Sequence, residues 1–214
     1  MLRRRPRRAP KPRKARMSQA RHPTHPIDPM FTSRWSPRAF TDEAIDAPTL
    51  LRFFEAARWA PSASNSQPWR FVYSLNGSPS WAPFLGFLVE FNREWARGAA
   101  ALVLVVSRKT FVPAGGSAAV ATASHSFDTG AAWISFAFQA QRDGWSTHAM
   151  GGFDKDLARR SLAIPDDYHL EAMVAVGRRG DPATLPDKLR QREQPNDRVP
   201  LARLVAEGEF GFRD

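Results

Sequence analysis

The chain has 214 residues, enough for one domain with a sizeable core, and its apolar (43%) and charged (24%) fractions are ordinary for a globular protein. It has no cysteine, which excludes disulfides, thiolate nucleophiles and Cys-ligated zinc or iron–sulfur centres. The net charge of +10 belongs to a tail: residues 1–21 hold ten of the 31 basic residues and no acid, and the other 21 balance the 21 acidic residues of the body.

Residues 1–27 are proline-rich, basic and poor in apolar side chains, so they read as a disordered tail, with the domain at 28–214. The tail's functional reading is attraction to nucleic acid or an anionic surface. Against it stand an idle extension, or a true start at Met17 or Met30. No apolar segment of about 7–15 residues follows the arginines, so a secretory signal is not expected and a cytoplasmic location is. Nor does any apolar run approach the roughly 18–20 residues of a membrane-spanning helix.

Asp28-Pro29 opens a short helix that should end near Trp35-Ser36, before Pro37. Arg34, Ser36 and Arg38 then alternate along an extended segment, which puts two guanidinium groups and a hydroxyl on one side as a possible phosphate clamp. The competing reading is two solvated arginines near a turn. Asp46 to Trp59 is a helix capped by Asp46, with Pro48 in its first turn and a broad apolar side.

Trp59–Val72 (W-A-P-S-A-S-N-S-Q-P-W-R-F-V) joins that helix through a small polar loop to a strand over Trp69–Leu75. Asn65 and Gln67 offer donors and acceptors together, suited to the edge of a flat heterocycle; the same residues also suit an ordinary turn. From Ser80 to Trp95 the apolar residues fall at helical spacing. Ala99–Val106 is a strand with no polar alternation, covered on both faces. Val112–Ser126 is a flexible loop, with His125 its only ionisable residue.

Asp128 caps a long helix to about Asp143, whose small residues suit a central or subunit-interface position. A strand over Trp145–Ala149 leads to Met150-Gly151-Gly152-Phe153, where glycines let backbone approach a ligand. A helix over Asp154–Leu162, a strand over Glu171–Gly177, a short amphipathic turn at Leu185–Glu193 and a final strand within Leu201–Phe212 complete an α+β or α/β layout with one sheet between helices.

Several chemistries lack their motifs. There is no G-x-x-x-x-G-K-S/T loop, no G-x-G-x-x-G, no H-E-x-x-H and no G-x-S-x-G, and the five histidines are scattered, which argues against a metal site. Arg, Asn, Gln and Ser at loop edges of an aromatic core suit a bound cofactor that brings its own reactivity.

These pieces together resemble the FMN-dependent nitroreductase family. Trp59–Val72 is similar to its A-P-S…N…Q-P-W-x-F signature and Ser33–Phe40 to its N-terminal phosphate motif. Phe91–Ala96 is similar to its central Asn segment, Asp128–Ala132 to the start of its core helix, and Met150–Asp154 to its glycine segment. The likeness runs in order over about residues 28–214.

The resemblance implies an α+β fold with a mostly antiparallel central sheet flanked by helices, and a homodimer with FMN at the subunit interface. It implies a phosphate held by Arg34, Ser36, Arg38 and Arg198, with Trp35 alongside and Arg178 as a possible extra partner; the Lys many relatives carry two residues before Arg198 is Asn196 here. Pro61, Ser62, Ala63, Asn65 and Gln67 would come from the second subunit. Asn92 would face the pyrimidine edge of the flavin, with Met150, Gly151 and Gly152 beside its N5. The implied activity is ping-pong: NADH or NADPH reduces FMN and leaves, and a small electron-poor acceptor, a nitroaromatic or quinone, is reduced in the same place. No obligatory acid–base side chain is named. Flavin supply, reductive dehalogenation and flavin destruction are the alternatives within the family, and a basic-tailed nucleic-acid-binding protein is the alternative outside it.

Overall fold

The structure, a computed structural model, describes residues 21–212. The reading of residues 1–20 as a disordered tail lies outside them.

Four strands form one antiparallel sheet in the order β1-β2-β6-β5: β1 (Trp69–Leu75), β2 (Ala101–Arg108), β5 (Ser146–Met150) and β6 (Tyr168–Gly177). Trp69 pairs with Ser107, Ala101 with Val176, and Met150 with Met173. The inner strands β2 and β6 carry the continuous apolar runs, because helices cover both of their faces.

On one face α2 (Ala47–Arg58) packs against α5 (His125–Arg142), with Phe53 edge-on to Phe136 at 5.6 Å between ring centroids. On the other, Ala39 and Phe40 join α3 (Trp81–Phe87), α4 (Glu90–Ala96) and α6 (Lys155–Ser161) around Leu102, Leu104 and Met173. A bridge between Phe40 and Arg179 ties the N-terminal segment beneath the sheet, and Gly180 fits there because a Cβ would lie 2.6 Å from the Phe40 carbonyl.

Several expectations are corrected. The first helix, α1 (Pro29–Ser33), stops before Arg34, which is extended, and Trp35–Arg38 follow outside any helix. The apolar periodicity of Ser80–Trp95 is split into α3 and α4 at Leu88-Val89, since Leu88 bridges to Phe153 and the Val89 N–H bonds the Gly152 carbonyl. The long loop is pinned by a short hairpin: β3 (Thr110–Phe111), just before it, pairs with β4 (Val120–Ala121) within it. Helix α5 begins at His125, so Asp128 lies in its first turn rather than capping it; Gly144, at φ +79°, follows its end. Leu201–Phe212 is not a strand: a short 3-10 turn over Leu201–Arg203 runs into exposed irregular chain. A four-residue helix, α7 (Asp187–Arg190), occupies the expected amphipathic turn.

Candidate active site

Beside the edge strand β5 lies a cleft of about 400 Å³ walled by arginines. Arg34, Trp35, Ser36 and Arg38 form one side, and Arg192, Asn196 and Arg198 form the other. His148 of β5 lines it between them. Beyond the end of α1, Arg34 and Ser36 lie on one side and touch, Nη1 to Oγ, at 3.5 Å. Arg21 closes the end, its Nη1 donating to the carbonyls of Arg34 (2.6 Å) and Thr32 (3.2 Å).

The electrostatics are those of an anion site. Burial, then the charges of Arg198 and Arg21, push the Arg34 guanidinium below its ordinary pKa. Arg21 is pushed the same way by burial and Arg198. Burial also lowers Arg38, against a partial restoration by Glu193. The Arg38 Nε is buried with no hydrogen-bond partner among the described residues. Crowded guanidinium groups with an unmet donor are stabilised by a phosphate or carboxylate.

His148 stacks on Trp95 at 4.5 Å between centroids, and its Nδ1 lies 3.0 Å from the Pro37 carbonyl. A carbonyl only accepts, so Nδ1 carries the proton. Burial holds this imidazole down to about 4, and it is neutral at pH 7.

From His148 the strand runs through Met150 to Gly151 and Gly152, about 10 Å of extended chain. Asn92 of α4 donates from Nδ2 to the Gly152 carbonyl at 3.0 Å. A Cβ on Gly152 would meet Asn92 Nδ2 at 2.8 Å, whereas one on Gly151 meets nothing within 4 Å. Gly151 therefore borders open space while Gly152 is locked against Asn92. Met150 buries its side chain in the core, so that side chain does not reach the cleft.

The expected residues do not all meet. Arg34, Trp35, Ser36, Arg38 and Arg198 share the cleft; Asn92, Gly151 and Gly152 share the end of β5. Arg178 lies elsewhere, bonded to Glu43 and the Asp143 carbonyl and stacked on Trp145 at 4.5 Å.

None of Pro61, Ser62, Ala63, Asn65 and Gln67 lines the cleft. Their loop precedes β1, the opposite edge of the sheet, and rests on α5, where the Asp128 carboxylate accepts the Ala63 N–H (3.1 Å) and the Ser124 hydroxyl (2.9 Å). Ser64, Asn65 and Gln67 have φ of 52°, 50° and 46°, left-handed conformations that cost a side-chain-bearing residue about 1 kcal/mol or more each. The Ser62 Oγ accepts the Gln67 N–H at 3.0 Å and helps hold that shape.

Sequence reasoning missed Arg21, Gln191, Arg192 and Gln194 in the cleft. Arg21 was hidden at the end of a basic run, and the others carry no pattern beyond a short polar turn. It also placed His125 in a flexible loop. Instead His125 opens α5, its Nδ1 2.7 Å from Ser107 Oγ, in a polar cluster with Glu171 and Ser126.

The chain belongs to the nitroreductase family: the family's sequence profile matches residues 31–77 and 80–178. A crystal structure described as an oxidoreductase containing FMN is 46% identical, with a TM-score of 0.87 over 90% of this chain and 97% of that one. Shorter stretches resemble the nitrobenzene nitroreductase of Ectopseudomonas oleovorans (41% over 56 residues, 26% of this chain and 24% of that protein). Others resemble the 5,6-dimethylbenzimidazole synthase of Rhodospirillum rubrum (46% over 52 residues, 24% and 25%). The chain thus matches about a quarter of the length of each of these two relatives.

Proposed function

We propose that this chain is the subunit of a homodimeric FMN-dependent NAD(P)H oxidoreductase that reduces electron-poor acceptors, nitroaromatics and quinones, by a ping-pong scheme. The observation that carries this reading is the arginine cleft, with its unmatched Arg38 donor, standing one strand-length from the open backbone at Gly151. The residues fit the cofactor. Arg34, Ser36, Arg38 and Arg198 would hold the FMN phosphate, Asn92 would face the pyrimidine edge, and Gly151 with Gly152 would border the ring without side chains. The polar loop Pro61, Ser62, Ala63, Asn65 and Gln67 would complete the site of the partner subunit, in keeping with its place at the far edge of the sheet.

FMN, when bound, would supply the redox chemistry of hydride exchange between a nicotinamide donor and the acceptor. The protein's part is to bind, orient and set the local charge. The guanidinium groups would neutralise the phosphate, and the Asn92–Gly152 bond would hold the protein edge that borders the ring. His148, neutral and bonded to Pro37, braces the Arg34–Arg38 segment and is not needed as an acid.

The test is turnover of nitroaromatics, simple quinones and free flavins with NADH and NADPH offered separately. Parallel double-reciprocal lines with nitroaromatic or quinone acceptors are expected. A flavin-loaded protein that reduces none of them contradicts the assignment. The likeness to a dimethylbenzimidazole synthase favours a second reading, in which the flavin is itself consumed. Release of a benzimidazole from bound flavin would select it.

A further inference from the structure

Glu193 stands behind the arginine cleft, with its side chain 1% exposed. Its Oε1 accepts the main-chain N–H groups of two consecutive residues, Arg38 at 2.7 Å and Ala39 at 2.9 Å. Its Oε2 faces Arg38 Nη1 at 3.8 Å and makes no hydrogen bond among the described residues. The Arg38 side chain is 16% exposed, its guanidinium 6.0 Å from the Trp95 ring and its Nε without a partner among the described residues.

A buried carboxylate with one oxygen unbonded is costly to keep. Nothing local compels this contact. The two residues are 155 positions apart, and Glu193 follows a helix of only four residues. Its geometry gives it a task. Two N–H groups on one oxygen fix the peptide units of Arg38 and Ala39, and the charge of the second oxygen attracts the guanidinium from behind at 3.8 Å. Glu193 and the nearby Asp197, set against Arg21, Arg34, Arg38, Arg192 and Arg198, leave the cleft positive.

We infer that Glu193 is a positioning residue for the phosphate end of the ligand: it pins the Arg38 backbone, steers the guanidinium into the cleft and ties the C-terminal wall to the N-terminal clamp. This rests on the reading of the cleft as the FMN phosphate site. It predicts a signature that a purely structural role would not give, because only ligands with a phosphate should sense the loss.

The experiment measures FMN and riboflavin binding, which differ by that phosphate alone, to flavin-stripped full-length wild type, Glu193→Gln and Glu193→Ala. Glu193→Ala should weaken FMN about 10- to 100-fold, the loss expected for a charge-assisted contact, and riboflavin less than about twofold. Glu193→Gln keeps an acceptor for the two N–H groups and loses the charge. Its FMN-to-riboflavin affinity ratio should fall at least about threefold, an intermediate loss, and this variant decides the matter if the alanine protein does not fold. In an Arg38→Ala background the glutamine change should add nothing to the loss of FMN affinity. Equal losses for both flavins, or an unchanged FMN affinity in both variants, overturn the assignment. A wild type that binds neither flavin overturns the reading of the cleft beneath it.

Discussion

His148 shows how one side chain records its surroundings. Its pKa falls from an ordinary 6.5 to about 4, chiefly through burial. A base whose folded pKa is depressed supports the fold above its unfolded value and withdraws that support as pH falls toward the folded one. The protein should therefore lose stability between about pH 6.5 and 4, by up to about 3 kcal/mol from this group. Urea midpoints across that range test it: His148→Gln should flatten the slope, and an unchanged slope would place the acid sensitivity elsewhere.

The two glycines give a second contrast. Gly152→Ala forces a Cβ into Asn92 and Val89, and should cost about 1–3 kcal/mol. Gly151→Ala meets open space and should leave the midpoint within about 0.5 kcal/mol while weakening flavin binding. At this scale the sequence was informative where periodicity or a motif marks a residue, as with Arg34, Ser36 and Arg38, whose alternation announces a shared side. Arg192 and Glu193 were silent because their role comes from contact with a segment some 155 positions away.

Among the elements, the loop between α2 and β1 carries the most stored strain. Three left-handed residues persist because Asp128 and Ser62 hold the backbone around them. Asp128→Ala removes a buried carboxylate bonded to Ala63 and Ser124, and should destabilise by about 2–3 kcal/mol. Amide exchange should speed up over residues 61–67 while the β2–β6 ladder stays protected; protection unchanged in the loop would show that something else holds it. The helix pair beneath is more ordinary: Phe136→Ala, emptying the α2–α5 contact, should cost about 3–5 kcal/mol by chemical denaturation. Strand and helix types were readable from apolar patterning, and the misses have physical causes. The break between α3 and α4 is made by Gly152 and Phe153, more than 60 residues away, and the first turn of α5 is hidden by the small residues that run into it and look like loop.

For the whole molecule, the proposed homodimer would draw on apolar side chains left in water. Trp59 is 74% and Phe127 83% exposed, flanking the polar loop and the start of α5. Of the two positions expected for the small residues of α5, central or subunit-interface, Ala132 and Ala140 take the central one, packed against α2 and the sheet. An interface would instead use the exposed Phe127 and Ile134. Sedimentation should give twice the 24.0 kDa of the chain, with Phe127→Asp shifting the equilibrium toward single subunits.

The central claim, that the arginine cleft and the Gly151 edge form a flavin site, is tested most directly by titrating FMN into flavin-stripped protein while recording the visible spectrum. The account predicts saturation at one FMN per chain, with Arg38→Ala weakening binding about 10-fold or more. A protein that stays colourless after FMN is added, or that binds FMN equally well without Arg38, would contradict it.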